Sequence, residues 1–190
     1  MNRTSFLTAV LALTAGLAYS SVQAAPSLIG DTVDCGIVPT PFWICTTPTA
    51  VVGPGNEFQL TIPASTNFGF DVDLGASSVR IASNRATPFG LGAGETLTLS
   101  DLDFAPSAII VGIANFTSSL VTGMTLSDVT FADHSVTIDL DNNTGWQPGS
   151  FVSFDLIVAQ VPEPNALLLL SLGLVYLGCT RRPNRVQRCG

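Results

Sequence analysis

The alternation of apolar and polar residues with a period of two is the feature that most constrains how this chain folds. Phe58, Leu60 and Ile62 alternate with Gln59 and Thr61, and the same pattern recurs downstream. A period of two places successive side chains on opposite faces of a strand, so that each segment has one apolar face and one polar face. The sequence therefore predicts an all-β protein whose strands pack on one side.

The alternation covers most of the region between residues 57 and 159, and clusters of Gly, Pro and Asn separate the segments. Short strands separated by such turns are typical of an antiparallel β-sandwich. The apolar parity changes between Leu99 and Leu102 and between Leu126 and Val129, which predicts a β-bulge or a short break at each point. We expect about eight strands, near residues 57–62, 67–74, 78–83, 95–104, 107–115, 121–131, 134–141 and 150–159.

Charge is distributed unevenly along the chain. The seven basic residues are all Arg, and residues 26–160 hold two of them against thirteen acids, a net charge of −11. Phosphate-driven binding of nucleic acid needs a basic face, which this region does not have. Exposed positions of long helices favour Lys and Glu, and residues 26–160 hold no Lys and only two Glu. The charge and the composition thus disfavour both a nucleic-acid-binding protein and a helical-bundle enzyme.

The N-terminus has the pattern of a secretory signal peptide. Arg3 is followed by an uncharged, mainly apolar run of 13 residues, 6–18, which is too short for a spanning helix of about 20 residues. Val22 and Ala24 then provide compact residues at the −3 and −1 positions of a cleavage site. We expect residues 1–24 to be a signal peptide that is cut after Ala24; the alternative is an N-terminal anchor that stays attached.

The C-terminus has three parts in a fixed order. A Pro-rich entrance keeps the chain extended, an apolar segment follows, and an Arg cluster stops translocation on the cytoplasmic side. The apolar segment would form about 22 Å of helix at 1.5 Å per residue, against about 30 Å of hydrocarbon core. We therefore expect it to be a short, transient anchor. The three parts are Pro162-Glu163-Pro164, residues 166–180, and Arg181, Arg182 and Arg185.

This arrangement resembles the PEP-CTERM sorting signal of Gram-negative bacteria over residues 161–188. The resemblance implies a partner, the integral-membrane protease-transpeptidase exosortase, which would process the tail close to residues 162–165. It implies transient residence in the inner membrane, followed by release to the cell surface or to an extracellular polysaccharide matrix such as that of a biofilm. The region between the two ends, residues 26–160, is similar to the β-sandwich cargo that often carries such tails. Cys179 and the extension at residues 186–190 are small departures from the family pattern.

Cys35 and Cys45 follow the predicted signal peptide and lie ten residues apart, with Pro39 and Pro41 between them. Disulfides persist outside the cytoplasm, so we expect a bridge between the two; the alternative is a pair of reduced thiols. Cys179 and Cys189 lie in the tail and would leave with it.

Catalytic and transition-metal patterns are weak in this sequence. His134 is the only histidine, and its neighbours Asp133 and Ser135 point to the opposite strand face, so the three do not make a triad. No Cys-x-x-Cys or Gly-x-Ser-x-Gly motif is present. We therefore expect a non-enzymatic protein, although thirteen acids leave a secreted hydrolase with a carboxylate pair open as a weaker alternative.

A calcium loop is the one cofactor site that the sequence suggests. Asp139, Asp141 and Asn143 offer oxygen ligands at alternate positions, but no bidentate Glu follows at the EF-hand spacing. The alternative is a strand that runs into an Asn-Gly-type turn. Acids on the polar parity of other strands are expected to form a solvated face; they are Asp71, Asp73 and Asp155.

The expected role is structural or adhesive within an exopolysaccharide matrix, with exosortase as the processing partner. The main alternative is a carbohydrate-binding module, in which Trp43 and Trp146 would stack on sugar rings. Core burial of at least one of the two indole rings is the competing interpretation.

Overall fold

The computed structural model describes residues 24–38, 43–62, 69–89, 94–140 and 145–161. Within these residues the chain forms eleven strands and one short 3₁₀ helix, Leu126–Asp128, and no α-helix. The strands are β1 Thr32–Val38, β2 Ile44–Cys45, β3 Thr49–Val51, β4 Phe58–Thr61, β5 Gly69–Leu74, β6 Ser78–Ser83, β7 Thr96–Ser100, β8 Ala108–Thr122, β9 Val129–Ala132, β10 Ser135–Asp139 and β11 Gly145–Gln160.

The strands form two antiparallel sheets. The first has five strands in the order β3-β1-β7-β10-β9, and the second has six in the order β2-β4-β5-β6-β11-β8. β8 and β11 are much longer than the other strands, and three register shifts interrupt their pairing. The prediction of an all-β fold built from antiparallel strands is confirmed.

The period-two pattern places apolar residues of neighbouring strands directly opposite each other. In the six-stranded sheet one such row crosses four strands, and all its members are buried. Side chains from both sheets belong to one hydrophobic core, as in a β-sandwich. The row in the six-stranded sheet is Phe58–Val72–Ile81–Val152. The matching rows in the five-stranded sheet are Cys35–Leu99–Val136 and Ile37–Leu97–Ile138.

Two predicted strands are longer than the strands that form. β7 stops at Ser100 because Asp101 adopts a left-handed backbone (φ 62°), so a single strand over 95–104 is wrong. The predicted strand 121–131 is also wrong, because Gly123 (φ 95°) ends β8 and the 3₁₀ helix precedes β9. Both breaks fall where the apolar parity changes, so the parity argument is confirmed although the strand bounds are not.

The sequence prediction misses the first three strands. Val33, Cys35 and Ile37 are buried on β1 and alternate with exposed neighbours, so this strand carries the same signal as the others. β2 and β3 have only two and three residues, which is too short for any periodicity. β8 and β11 extend beyond the predicted bounds because bulges let one strand continue through a change of parity.

The two predicted targeting segments lie outside the described residues, apart from Ala24 and Val161 at their inner ends. Within the described part of the chain, no helix has the length and apolar character needed to cross a membrane. The apolar segment 166–180 belongs to the part that is not described, so its helix stays a prediction.

The two ends of the folded region lie side by side. The side-chain Nε2 of Gln160 donates a hydrogen bond to the carbonyl oxygen of Ala24 (3.4 Å). Segment 105–107 lies between the two ends: Ser27 exchanges two backbone hydrogen bonds with its first residue, and its last carbonyl accepts one from the Val161 N–H. The chain therefore enters and leaves the fold at one place.

Candidate functional site

Cys35 and Cys45 form a disulfide with a Cα–Cα distance of 6.1 Å, as the sequence predicts. Cys35 lies on β1 of the five-stranded sheet, and Cys45 lies on β2 of the six-stranded sheet. The bond thus joins the two sheets covalently through strands that the sequence analysis did not assign.

Trp43 and Trp146 are core residues, with 5% and 0% of their surface exposed. Their rings contact Phe70 at centroid distances of 5.3 and 4.6 Å, and Phe89 completes the aromatic cluster. A ring that stacks on a sugar must present one face to solvent, and these rings do not. The interpretation of the two tryptophans as a sugar platform is wrong, because their large apolar area is used to fill the core.

His134 and Asp103 form the one contact between a histidine and a carboxylate in the described residues. The Nδ1 atom of His134 is 3.0 Å from Asp103 Oδ1 and 3.2 Å from the Leu102 carbonyl oxygen. The histidine comes from the β9–β10 turn, and the aspartate comes from the connection after β7. Sequence reasoning considered only the flanking Asp133 and Ser135, because the contact spans 31 positions along the chain.

The His134–Asp103 pair lies on the surface of a shallow depression that also includes Ser100, Ser135 and Asp133. The side chains of His134 and Asp103 are 50% and 64% exposed. Among the described residues, no serine hydroxyl is hydrogen-bonded to the imidazole ring. The contact joins the β9–β10 turn to the segment after β7.

Asp31 adds a further carboxylate to this end of the molecule. Burial raises the pKa of Asp31, and the nearby charges of Asp103 and Asp101 raise it further. Backbone hydrogen bonds to the carboxylate lower the pKa and so partly offset this rise. One of them, 2.8 Å long, runs from the Asp103 N–H to Asp31 Oδ2. Asp31, Asp101, Asp103 and Asp133 thus supply four carboxylates at this end of the molecule.

Metal ligation finds little geometric support in the described part of the chain. No cluster of three or more His, Cys, Asp or Glu side chains there is arranged to hold a metal ion. Asp139 is the last residue of β10 and lies opposite Thr96 of β7. Asp141 and Asn143 lie outside the described residues, so the calcium loop stays a prediction.

The outward side of the six-stranded sheet carries carboxylates that are paired with amides. Asp71 accepts hydrogen bonds from Gln59 (3.4 Å) and Asn84 (3.1 Å), and Asp155 accepts one from Asn115 (2.6 Å). Asp73 lies opposite Arg80, whose guanidinium carbon is 3.9 Å from the ring centroid of Phe151. We call this surface the polar face.

The sorting residues lie outside the described part of the chain. These residues are Pro162, Glu163, Pro164, Arg181, Arg182 and Arg185. No protein-family model, curated protein or solved structure matches the chain.

Proposed function

We propose that this chain is a non-enzymatic exported protein of the cell surface or the exopolysaccharide matrix, sorted by its C-terminal tail and processed by exosortase. The tail motif, the apolar segment and the Arg cluster occur in the required order at residues 162–185.

The observation that carries the proposal is the close approach of the two ends of the described region. Gln160 is hydrogen-bonded to Ala24, so the residues that adjoin the predicted signal peptide and the predicted tail lie side by side. Only residues 162–165 separate Val161 from the apolar segment. Two membrane segments that adjoin the same part of the domain can lie in one bilayer while the whole domain folds outside it. This supports a precursor that is anchored in the membrane by both the signal peptide and the tail before either is cut.

The end of the last strand supports removal of the tail. β11 ends at Gln160, two residues before Pro162. A cut at residues 162–165 would leave every described strand and the disulfide in the released part. Such a boundary is what a detachable sorting signal requires, because no described strand lies beyond Gln160.

The disulfide between the sheets supports export. Disulfides form and persist in oxidising compartments and are rare in the cytoplasm. Because Cys35 and Cys45 join strands of different sheets, the bond stabilises the sandwich as a whole. A covalently braced, acidic domain suits a structural or adhesive role outside the cell.

Carbohydrate binding is a second candidate because of the polar face. Its amide and carboxylate groups are of the kind that bind sugar hydroxyls. The carboxylates of Asp71 and Asp155 already accept hydrogen bonds from the neighbouring amide side chains of the same face. Pull-down with the host's own polysaccharide would test this, with Asp71→Ala and Asn84→Ala as face variants and Thr130→Ala on exposed β9 as the control. Binding that survives both face variants would exclude the polar face as the site.

Intact-mass measurement of the secreted protein tests the proposal directly. We expect a chain that starts at Ala25 and ends within residues 162–165. Replacing Arg181, Arg182 and Arg185 by Ser, or deleting the exosortase, should leave the tail uncut or the protein mislocalised. Arg188→Ser is the matched control, because it removes a tail charge outside the cluster. A secreted mass that includes the Arg cluster would show that the tail is a stable anchor.

A further inference from the structure

The four sheet edges differ in how well they are protected from pairing with another strand. β3 lies beside Asp34, which accepts a hydrogen bond from Thr49, and β9 is followed closely by Asp133. β2 has only two residues. β8 is the remaining edge, and its 15 residues include no charged residue and no Pro. Charges, prolines and short length are among the usual protections of an edge strand, and β8 has none of these three. β-Bulges are another protection, and the register shifts of β8 leave its pairing with β11 regular over residues 117–119.

The start of β8 is covered by the rest of the molecule. The Ile110 N–H donates a hydrogen bond of 2.9 Å to the Asp133 carbonyl oxygen, in the turn between β9 and β10. Beyond this point no other described strand pairs with the outer side of β8, and Val111 and Leu120 are 47% and 61% exposed. The open edge therefore runs from Val111 to Thr122, where β8 ends.

Two left-handed residues divide the open edge. Asn115 and Leu120 have φ values of 51° and 58°, which turn the backbone away from a regular strand. Between them, residues 116–119 are extended, and residues 117–119 pair with β11 on one side. On the other side, no strand of the described residues pairs with them. This segment includes the exposed residues Thr117 and Ser118.

The charge pattern indicates which partner this edge accepts. Residues 104–127 carry no charge, whereas residues 26–160 as a whole have a net charge of −11. Two copies of so acidic a domain repel each other wherever carboxylates meet. They can approach along the uncharged edge, where each copy presents the same open strand, and a two-fold axis makes every contact twice.

We propose that two copies of this chain associate by antiparallel pairing of residues 116–119, which joins their six-stranded sheets across a two-fold axis. The contact is small, so the dimer is a weak one in solution. Screening of the like charges should strengthen it as the salt concentration rises. This dimer is independent of how the chain is exported.

Sedimentation equilibrium of the full chain in a density-matched non-ionic detergent tests the pairing. Ser118→Asp places a carboxylate in the segment, so that two like charges meet near the axis. Leu120→Asp is the second variant, because Asp tolerates the left-handed backbone better than Leu does. Thr130→Asp is the matched control, since it adds the same charge to the exposed edge strand β9. Near-UV circular dichroism of the buried Trp43 and Trp146 checks that each variant is folded.

We expect a wild-type dimer that tightens with added salt, a dimerisation constant at least about tenfold weaker in Ser118→Asp and Leu120→Asp, and no change in Thr130→Asp. A wild-type chain that stays monomeric at all concentrations would overturn the proposal. Equal dimerisation of all four proteins would also overturn it, because the association would then belong to the apolar tail. Equal loss of dimer in all three variants would overturn it as well, because it would indicate general charge repulsion.

Discussion

Two non-glycine residues on β8 adopt a left-handed backbone, which costs less conformational energy for one residue type than for the other. Asn115 is a type that tolerates positive φ, and its side chain donates a 2.6 Å hydrogen bond to Asp155. Leu120 is 61% exposed, so it has little packing to offset the strain of its φ of 58°. Leu120→Asn should therefore raise the free energy of unfolding by about 0.5–1 kcal/mol in urea titrations. Leu126→Asn, at an exposed position without positive φ, is the control and should bring no gain.

Asp31 makes stability depend on pH because burial raises the pKa of its carboxyl. The folded protein then holds a proton that the unfolded chain releases near the ordinary pKa of about 3.9, so Asp31 favours folding below that pH and loses this contribution as the pH rises through the raised value. Asp31→Asn keeps an oxygen to accept the Asp103 N–H. The variant should be more stable than wild type at about pH 7, and the difference should vanish towards about pH 3.

Urea titrations at several pH values measure this difference. Asp73→Asn removes the same charge from the polar face and controls for general repulsion. If both variants gain equally at neutral pH, the effect belongs to the net charge of the domain and not to the burial of Asp31.

Sequence reasoning identifies some residues correctly and misses others for a physical reason. The bond between Cys35 and Cys45 was predictable because ten residues separate them and the predicted export would place them in an oxidising compartment. The contact of His134 with Asp103 was not, because it depends on how two turns meet in space. The role of Trp146 was ambiguous, since the same ring can fill a core or face a sugar, and only the packing with Phe70 decides it.

At the scale of elements, the disulfide connects β1 and β2 across the two sheets. Closing a loop of this length stabilises the folded state by about 2–3 kcal/mol, chiefly by restricting the unfolded chain. Replacing Cys35 and Cys45 together by Ala should lower the free energy of unfolding by that amount in denaturant titrations. Replacing the tail residues Cys179 and Cys189 by Ser is the control and should leave the unfolding of the domain unchanged. An equal loss in the two double variants would contradict a bond between the sheets.

The strands themselves were predictable to different degrees. β6, Ser78–Ser83, has the bounds that the alternation predicts, because its residues follow one parity between two turns. β8 does not, since Asn115 and Leu120 let a single strand continue through irregular positions that interrupt the pattern. A bulge preserves the backbone pairing while it changes which residues face the core, so periodicity alone underestimates such strands.

At the scale of the whole molecule, residues near the two ends of the described region both bond to segment 105–107. Ser27 pairs with segment 105–107 on one side, and Val161 bonds to it on the other. The sequence predicted a domain at residues 26–160, and the described strands end at Gln160. The proximity of the ends could not be predicted, because it depends on β11 being an inner strand of its sheet and on the route of the β7–β8 connection.

The last prediction follows from where the described strands end. A chain that starts at Ala25 and ends after Asn165 should unfold at the same temperature as the chain that keeps the tail, because no described strand lies beyond Gln160. Ending the chain after Leu156 is the matched control: it removes four residues of β11, including Val158, which packs against the core. That truncation should cost on the order of 3 kcal/mol, since four cross-strand pairs and one partly buried side chain are lost. Differential scanning calorimetry in the same detergent measures all three chains. A fall in unfolding temperature on removal of the tail alone would mean that residues beyond 165 belong to the fold, and the tail would then not be a detachable signal.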